Sequence, residues 1–252
     1  MDFTNKNILI TGGSRGIGRA TAIAFSQKGA NVAINYNSND QAAQETLELL
    51  DKGNHTAFKT DISNEEATEQ LISDFIEKYS KIDILVNNAG ILMPHEIDLV
   101  DFSTWKNAWK QIIDTNLIAI ANLSYWAAQQ MIKQGGGRIV NVSSRGAFRG
   151  EPTQPAYGAS KAALNSLSQS LAKQLAKHKI YIGVVAPGFT ETDMGNDSIT
   201  PEEKNLLLNE SPFKRMAKPE EIAHSILFLA SSGAEYNSGA IIDVNGASYL
   251  RS

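Results

Sequence analysis

Tyr157 and Lys161 form the residue pair in this sequence that most strongly suggests catalysis. They stand four positions apart in a stretch with helical patterning, which predicts that both side chains lie on one helical face. A free tyrosine ionises near pH ~10, and an ammonium group close by lowers that pKa. A phenol tuned in this way can give a proton to a carbonyl oxygen or take one from a hydroxyl. On its own, such a pair is more often a structural contact or an exposed helix face.

The segment Thr11–Gly18 joins a predicted first strand to a predicted helix, and its glycines allow three chemical interpretations. Glycines let a backbone approach a pyrophosphate while a helix N-terminus supplies N–H donors. The segment also matches the G-x-S-x-G turn of hydrolases around Ser14, but only His224 follows at a suitable place. A nucleotide-triphosphate loop needs Lys and Ser or Thr where Arg19 and Ala20 stand. We favour dinucleotide binding, with a plain tight turn as the alternative.

The end of the second predicted strand indicates which dinucleotide would bind. NAD-binding proteins usually place a carboxylate there to bind the ribose 2′-hydroxyl. Here the strand runs into Asn35, Tyr36 and Asn37, none of which is acidic, while Arg15 projects from the glycine-rich turn. A missing negative charge and an added positive charge favour the 2′-phosphate of NADP(H) over NAD(H). The alternative is that Arg15 is an ordinary solvated turn residue.

Apolar runs alternate with helix-patterned stretches along the whole chain. This alternation predicts an α/β, Rossmann-type doubly wound fold, with a central parallel sheet of about seven strands and helices on both faces. The strand-like runs are apolar on both faces, as burial between two helix layers requires. They lie near 8–10, 32–34, 56–59, 82–86, 138–142, 180–185 and 240–244, and the helical stretches near 17–28, 40–52, 64–79, 105–133, 157–178 and 219–231.

No linker or internal repeat divides the chain, so residues 1–252 are predicted to form a single dinucleotide-binding and catalytic domain. The least regular stretch, at about 187–211, follows a strand and carries Pro, Gly, Asn and acidic residues. A long loop at the C-terminal end of a strand is a suitable position for a substrate loop or lid.

The composition argues against several classes of function. The 252 residues include 23 Lys and Arg, 27 Asp and Glu and no Cys, which gives a formal net charge of −4. This balance argues against nucleic-acid binding, and the lack of Cys excludes thiol nucleophiles and zinc–thiolate centres. The four histidines are scattered, and no run of 18 apolar residues predicts a membrane span. We therefore expect a soluble cytoplasmic protein with no metal site and no nucleic-acid or membrane partner.

Taken in order, the motifs resemble those of the short-chain dehydrogenase/reductase family over nearly the whole chain. The sequence carries T-G-x-x-x-G-x-G at Thr11–Gly18, N-N-A-G at Asn87–Gly90 and Y-x-x-x-K at Tyr157–Lys161. An Asp followed by an aliphatic residue is found at Asp61–Ile62, and P-G after the sixth strand is found at Pro187–Gly188. This order of motifs turns the Tyr-x-x-x-Lys pair from a weak signal into a strong one.

The resemblance implies a role for each catalytic candidate. Tyr157 would be the general acid/base, and Lys161 would tune it while binding the hydroxyls of the nicotinamide ribose. Ser144 would orient the substrate oxygen, and it is preferred to Ser143 because it precedes Tyr157 by 13 positions, a spacing common in the family. Asn116 would hold a water molecule in a proton relay behind Lys161, although it could instead only fix a kink in a helix.

The resemblance also implies a set of cofactor-binding residues. The segment Asn88–Gly90 would lie along the adenosine-side ribose, Asp61 and Ile62 would contact the adenine, and Thr192 would meet the nicotinamide carboxamide. The full set is Gly12, Ser14, Arg15, Gly16, Ile17, Gly18, Asn35, Tyr36, Asn37, Asp61, Ile62, Asn88, Ala89, Gly90, Tyr157, Lys161, Pro187, Gly188, Thr190 and Thr192.

The substrate is less well defined by the sequence. The segments Pro219–Ala223 and Ile242–Gly246 resemble those of bacterial 3-oxoacyl-acyl-carrier-protein reductases. In those reductases basic residues dock the acidic carrier protein, whereas Gly135 and His178 stand at the matching positions here. Basic residues nearby could substitute: Lys133, Arg138, Lys177 and Lys179. The loop Arg145–Gln154 is polar where an acyl tail would prefer apolar walls. We therefore expect a small-molecule carbonyl substrate, with a carrier-bound acyl thioester as the less favoured alternative.

Two functions outside this class stay open, and an assembly is expected. A nucleotide-binding sensor would not need Tyr157 together with Lys161, and a hydrolase would use Ser14 as its nucleophile.

The helix after Tyr157 places Ala163, Leu164, Leu167, Leu171 and Leu175 along one side. Packing of this helix between subunits, as is common in the family, predicts a homotetramer.

Overall fold

The computed structural model describes residues 1–192 and 201–251, without the side chains of residues 201–204 and 207. Seven strands are present in these residues: β1 (Asn7–Ile10), β2 (Asn31–Tyr36), β3 (Thr56–Lys59), β4 (Ile84–Asn87), β5 (Gly137–Val142), β6 (Ile180–Pro187) and β7 (Ile241–Val244). All neighbouring strands pair in parallel, in the order β3-β2-β1-β4-β5-β6-β7. The prediction of a seven-stranded parallel sheet in a doubly wound fold is confirmed.

Helices connect the strands and cover both faces of the sheet. They are α1 (Gly16–Ser26), α2 (Asp40–Glu48), α3 (Glu65–Tyr79), α4 (Phe102–Ile113), α5 (Ala119–Gln134), α6 (Gly146–Arg149), α7 (Pro155–Leu175), α8 (Pro201–Glu210) and α9 (Pro219–Ala230). A π-helical turn, Asp114–Ile118, joins α4 to α5, and short 3₁₀ turns lie at Ala176–His178 and Glu235–Asn237.

The core consists of two apolar layers, one on each face of the sheet. Leu9 of β1 points into a layer that also holds Phe75 of α3 and Leu123 of α5. Its neighbours Ile8 and Ile10 point the opposite way, into a layer that includes residues of α1 and α9. Successive side chains of a strand face opposite sides of a sheet, so a strand buried on both sides has to be apolar throughout.

Most predicted elements agree with the structure to within a few residues, and three regions differ. The predicted helix over 105–133 is α4, a π-helical turn and α5 in succession. The short helix α6 is absent from the prediction, and α8 lies inside the stretch 187–211 that was predicted as an irregular loop. Residues 193–200 of that stretch lie outside the described residues, and its role as a lid stays a prediction.

The leucine-rich side of α7 faces the interior of its own chain. Leu164 and Leu175 are buried in the layer that contains Leu9, and Leu167 and Leu171 pack against it. Any contact between subunits through this helix would therefore use its other faces. In the part of the chain that the structure describes, no helix is both long and apolar enough to cross a bilayer.

Candidate active site

A cleft of about 1240 Å³ lies at the carboxyl ends of the strands. The order of the sheet reverses direction between β1 and β4, and open α/β sheets bind ligands at such a point. Of the residues that the sequence assigns to the site, all except Gly18 and Asn116 line this cleft. A smaller hollow of about 730 Å³, between α8 and the C-terminal segment, is lined by none of them.

Two polar side chains fix the shape of the glycine-rich turn after β1. Thr11 Oγ1 accepts hydrogen bonds from the backbone N–H groups of Asn88, at 3.1 Å, and Ala89, at 3.0 Å. The Asn88 side-chain amide donates to the carbonyl oxygens of Thr11 and Gly12, both at 3.0 Å. These hydrogen bonds tie the turn after β1 to the turn after β4, so the two turns form one rigid edge of the cleft.

The glycines of this turn leave room for the phosphates of a ligand. Gly12 and Gly16 have φ angles of 62° and 53°, in the left-handed region that favours glycine. A Cβ atom on Gly18 would collide with the carbonyl oxygen of Gly12. Helix α1 begins at Gly16 without a side-chain cap, which leaves its first N–H groups for a ligand. The turn therefore fits the pyrophosphate of a dinucleotide.

The structure does not support Ser14 as a nucleophile. His224 is exposed on α9, and no described histidine lines the cleft. The Ser14 carbonyl oxygen accepts hydrogen bonds from the side chains of Arg19 and Thr46, which hold the turn against α2. A serine hydrolase needs a base within hydrogen-bond reach of its serine, and the described residues provide none here.

The turn between β1 and α1 places a cation, Arg15, in the same cleft that the end of β2 lines. Arg15 is exposed, and no described residue pairs with its guanidinium. The neighbouring cation, Lys59, is bonded at 3.0 Å to Asp40, which also accepts the Tyr36 hydroxyl at 2.9 Å. Asp40, the acidic group that contacts Tyr36 at the end of β2, is thus already paired with a cation, and Arg15 keeps its charge available for an anion.

Tyr157, Ser144 and Lys161 meet at the floor of the cleft, where β5 ends and α7 begins. The Ser144 side chain lies close enough to the Tyr157 phenol to lower its pKa, and Ser144 Oγ accepts the N–H of Gly146 at 3.0 Å. Lys161 is buried, with its Nζ 5.7 Å from the centre of the Tyr157 ring, and it donates to the Val142 carbonyl oxygen at 2.9 Å. The pair predicted from the sequence is therefore brought together.

Ser143 and Ser144 have different environments. Ser143 is buried, and its hydroxyl donates to the backbone carbonyl oxygen of Lys161 at 3.3 Å. Ser144 is only partly buried, lines the cleft and contacts Tyr157. The geometry therefore favours Ser144 for contact with a substrate oxygen.

Burial governs the ionisation of the two central groups. It raises the pKa of Tyr157 to about 12, and the negative charge of Glu151 acts in the same direction, while the hydrogen bond from Ser144 opposes them. Burial also lowers the pKa of Lys161 to about 8. Burial is the largest cause of the rise in the pKa of Tyr157, and the lowering of this pKa by the Lys161 ammonium stays a prediction. The phenol holds its proton, as a proton donor must.

Asn116 lies in the π-helical turn between α4 and α5, fully buried. Its side-chain amide donates to the Ile91 carbonyl oxygen at 2.9 Å and accepts the Ile91 N–H at 2.8 Å. A Cβ atom on Gly90 would lie 3.2 Å from Asn116 Oδ1 and 3.4 Å from Lys161 Nζ. The oxygen and the ammonium therefore border the same small volume, which the absence of a side chain at Gly90 leaves open. Such π-bulges often occur at functional sites.

Comparison with known proteins identifies the family. The family model described as enoyl-(acyl carrier protein) reductase matches residues 12–247. The 3-oxoacyl-[acyl-carrier-protein] reductase FabG of Staphylococcus epidermidis is 36% identical over 98% of this chain and 100% of its own length. That of Chlamydia trachomatis is 37% identical over 97% of both chains. A solved structure from Sinorhizobium meliloti, described as a short-chain alcohol dehydrogenase, has a TM-score of 0.91 at 32% identity and covers 98% of this chain and 97% of its own.

The chain belongs to the short-chain dehydrogenase/reductase family. The solved structure of a short-chain dehydrogenase/reductase mutant from Serratia marcescens agrees, with a TM-score of 0.90, 28% identity and coverage of 99% and 100% of the two chains. As a short-chain dehydrogenase/reductase, the protein is an oxidoreductase that acts on carbonyl or alcohol groups with a nicotinamide cofactor. The family resemblance seen in the sequence is confirmed.

In this short-chain dehydrogenase/reductase, three residues that the sequence assigns to the cofactor have side chains committed to the protein itself. The Asn35 amide donates to the Thr60 carbonyl oxygen at 2.9 Å. The Asp61 carboxylate accepts the N–H and hydroxyl of Ser63 at 3.0 and 2.8 Å, and Ile62 is buried in the core. All three still line the cleft, so we expect them to shape the nucleotide site more than to bind charged groups of the cofactor.

The wall after β6 closes the cleft opposite α1. Gly188 packs against Asn245, where a Cβ atom would lie 2.8 Å from the Asn245 Cα, and Thr190 donates to the Gly188 carbonyl oxygen at 3.1 Å. The Thr192 side chain lies across from Gly16, with Cγ2 3.0 Å from the position of a Cβ there. Asp193 and Met194, the next two residues along the chain, lie outside the described residues.

Sequence reasoning missed His95, which supports the start of the catalytic helix. His95 is fully buried, and its Nδ1 lies 2.7 Å from the Met93 carbonyl oxygen. Its Nε2 accepts the N–H of Ala156, the residue before Tyr157, at 3.3 Å. Helix α7 lacks a side-chain cap at Gln154, so His95 supplies the acceptor from a distant loop. Nothing in the local sequence pattern indicates this contact.

Sequence reasoning also missed a group of charged side chains beside Ser144. Arg145 and Arg149 both pair with the carboxylate of Glu210, at 2.6 and 2.8 Å, and Glu151 lies on the same loop. The polar composition of the loop was the available signal, but the pairing depends on α8, which follows more than fifty positions later.

Proposed function

We propose that the protein is an NADP(H)-dependent reductase of a small carbonyl compound, or in reverse a dehydrogenase of the corresponding secondary alcohol, with Tyr157 as general acid/base. The observation that carries the proposal is the cluster of Ser144, Tyr157 and Lys161 at the floor of a cleft whose other end is a phosphate cradle. A sensor that only binds nucleotide has no need for a buried phenol and a buried ammonium in contact with a cleft.

The proton chemistry follows from the arrangement of the three side chains. A bound nicotinamide supplies a hydride in reduction and accepts one in oxidation. The Tyr157 hydroxyl, whose pKa burial raises to about 12, holds its proton until the substrate oxygen gains negative charge. Ser144 lies beside that hydroxyl and can donate a second hydrogen bond to the same oxygen. Donors aimed at a developing oxyanion stabilise the transition state more than the ground state.

Lys161 and Asn116 provide a route by which Tyr157 regains the proton that it gives to the substrate. The Lys161 ammonium has a pKa lowered to about 8, so it can release and regain a proton near neutral pH. Its Nζ and the Asn116 Oδ1 border the same space beside Gly90, which is where a relay water would lie. In the bound state Lys161 would also contact the ribose of the cofactor, because it lines the same cleft.

Arg15 supports the preference for NADP(H). It is an exposed cation at the mouth of the phosphate cradle, and the acidic residue nearby, Asp40, is already paired with Lys59. We expect Arg15→Ala to raise the KM for NADPH by roughly tenfold and the KM for NADH by less than about twofold. Lys28→Ala, an exposed cation just beyond the far end of α1, is the matched control and should change neither. Equal effects of Arg15→Ala on the two cofactors would contradict the assignment.

The function itself is tested by following NADPH oxidation with a panel of carbonyl compounds. The panel contains short ketones, hydroxyketones and a short 3-oxoacyl thioester. The proposal is supported if the wild-type protein reduces at least one class of carbonyl compound and Tyr157→Phe does not. NADPH binding without turnover of any compound, in either direction, would contradict it and favour a sensor.

Reduction of an acyl thioester is the second candidate, and the names of the relatives favour it. Two similar proteins are named 3-oxoacyl-[acyl-carrier-protein] reductases. For docking of an acidic carrier, Arg138 is already paired with Glu235 and stacked on Tyr181. Lys133, Lys177 and Lys179 are exposed near the ends of α5 and α7, and Lys173 is exposed in the last turn of α7. The thioester arm of the panel separates this candidate from the first.

The proposal includes a cytoplasmic homotetramer and a substrate lid. Leu206 and Glu210 of α8 line the cleft, which supports a role for the stretch 187–211 in covering the substrate. Light scattering at micromolar concentration tests the assembly, and a monomer there would contradict it.

A further inference from the structure

The substrate end of the cleft is formed by the loop Arg145–Gln154 and by Glu210 of α8. It lies directly beyond Ser144 and Tyr157, so the part of a substrate next to its carbonyl group has to contact it. The polar side chains of this end, and the hydrogen bonds they already make, therefore indicate which chemical groups the substrate carries.

The positive charges at the substrate end are already compensated. Arg145 is buried, with 6% of its side chain exposed, and its guanidinium pairs with the Glu210 carboxylate at 2.6 Å. Arg149 pairs with the same carboxylate at 2.8 Å. An anionic substrate would have to displace a carboxylate of the protein, so these two cations do not by themselves indicate an anion site.

Glu151 is in the opposite situation, because its carboxylate has no hydrogen-bond donor among the described residues. The side chain is partly buried, lines the cleft and packs so closely on Gly146 that a methyl group there would collide with it. Burial raises the pKa of Glu151, while the charges of Arg149 and Arg145 oppose the increase. The carboxylate is open to solvent in the cleft, so a hydroxyl group on the substrate could replace water as its hydrogen-bond donor.

Gln154 provides a second unsatisfied acceptor on the same loop. It lines the cleft, and its buried Oε1 has no hydrogen-bond partner in the structure. Most buried polar atoms in folded proteins have a partner, so such an atom in a binding cleft points to a group that a ligand supplies. Glu151 and Gln154 are two acceptors on the loop that leads directly into Tyr157. Arg145 Nη1, on the same loop, is paired by charge with Glu210 but has no hydrogen-bond partner among the described residues.

We propose that Glu151, assisted by Gln154, recognises a hydroxyl group next to the substrate carbonyl, so that the substrate is a small hydroxyketone and the product a vicinal diol. The inference rests on the proposed reductase function. The carbonyl carbon gains a hydride from NADPH, the oxygen gains a proton from Tyr157, and the neighbouring hydroxyl donates to Glu151 throughout. An ammonium donor is less suitable, because Lys161, Arg145 and Arg149 place positive charge nearby. An aliphatic tail would leave both acceptors without donors. A polar site discriminates strongly against a ligand that leaves its hydrogen-bonding groups unpaired.

The test compares hydroxyacetone with butan-2-one, which has a methyl group in place of the hydroxyl. The wild-type protein should reduce hydroxyacetone with a kcat/KM at least ~100-fold higher. Glu151→Leu should lower that value tenfold or more, while the value for butan-2-one changes by less than roughly threefold. Glu151→Gln should fall between the two, because its amide oxygen still accepts a hydrogen bond. Glu69→Gln, an exposed carboxylate on α3, is the control for loss of charge.

Three outcomes overturn the inference, and they can be told apart. An equal loss for both ketones in Glu151→Leu, with NADPH affinity also lowered, would show a purely structural role. A wild-type protein that prefers butan-2-one or a 3-oxoacyl thioester, with no effect of Glu151→Leu, would assign a different substrate class and leave the reductase function intact. Failure of every carbonyl compound to oxidise NADPH would remove the proposed function itself. If Glu151→Leu does not fold, Glu151→Gln measured on the same two ketones gives the same decision.

Discussion

The nucleotide end and the substrate end of the cleft are each stabilised by a different kind of contact. At the nucleotide end, the turn Thr11–Gly18 is fixed by hydrogen bonds between Thr11, Asn88 and backbone atoms, and by glycines where a side chain would collide with backbone. At the substrate end, the contacts are between charged side chains on separate elements, Arg145 and Arg149 with Glu210. Backbone contacts allow few alternatives, whereas side-chain contacts can be exchanged without changing the fold. The nucleotide end can therefore be common to a family while the substrate end is particular to one protein.

The largest difference between neighbouring residues is expected at the boundary between the two ends, where Ser143 and Ser144 are adjacent. Ser144→Ala removes a donor to the substrate oxygen and should lower kcat/KM by about 10²-fold. Ser143→Ala removes a 3.3 Å hydrogen bond inside the protein and should cost about 1 kcal/mol of stability, with little change in rate. Steady-state kinetics and urea denaturation of both variants make the comparison. A larger loss of rate in Ser143→Ala would reverse the assignment.

A methyl group added at each end should show the difference directly. Gly18→Ala forces a Cβ atom against the backbone carbonyl of Gly12, so we expect a loss of roughly 1–3 kcal/mol in stability together with weaker NADPH binding. Gly146→Ala meets only the side chain of Glu151, which can rotate away. This variant should keep NADPH affinity and lose preference for hydroxyacetone. Thermal melting and fluorescence titration with NADPH measure both variants, and equal destabilisation would contradict the distinction.

A smaller effect concerns the pH dependence of stability. Burial lowers the pKa of Lys161 from 10.5 to about 8, so the unfolded chain binds more protons than the folded protein between these values. Stability contributed by this group therefore rises with pH through that window and is lost below it. The wild type should gain roughly 2 kcal/mol relative to Lys161→Met between pH 7 and pH 10, measured by urea denaturation.

The control for this comparison is Lys173→Met, an exposed lysine on the same helix. Its stability should follow that of the wild type at both pH values. Tyr157, whose pKa burial raises from 10.0 to about 12, is present in both proteins, so its contribution cancels from the difference. Parallel pH curves for the wild type and Lys161→Met would show that the lysine is not desolvated as described.

The nucleotide end could be predicted from the sequence because its contacts depend on local backbone geometry. The glycines of Thr11–Gly18, the N-N-A-G segment and the alternation of strands and helices each leave a pattern at fixed spacing. The parallel sheet of about seven strands and the placement of Tyr157 beside Lys161 followed from the same patterns. Prediction and structure agree best at positions where the backbone accepts one residue type, such as Gly at position 18.

The substrate end could not be predicted in this way, because its contacts join residues far apart in sequence. His95 reaches Ala156 across 61 positions, and Glu210 reaches Arg149 across 61 positions, with no local signal for either contact. The rise in the pKa of Tyr157 through burial was not foreseen, since spacing shows that an ammonium is near but not how completely water is excluded. Burial is a property of the assembled fold.

The most direct measurement is the comparison of wild type and Tyr157→Phe in two assays on the same preparation, fluorescence titration with NADPH and NADPH oxidation with the preferred carbonyl substrate. Removing one hydroxyl leaves the ring and its packing in place, so NADPH affinity should stay within roughly threefold while turnover falls by about 10²–10⁴-fold. Turnover above a tenth of the wild-type rate would contradict the assignment of Tyr157 as the proton donor.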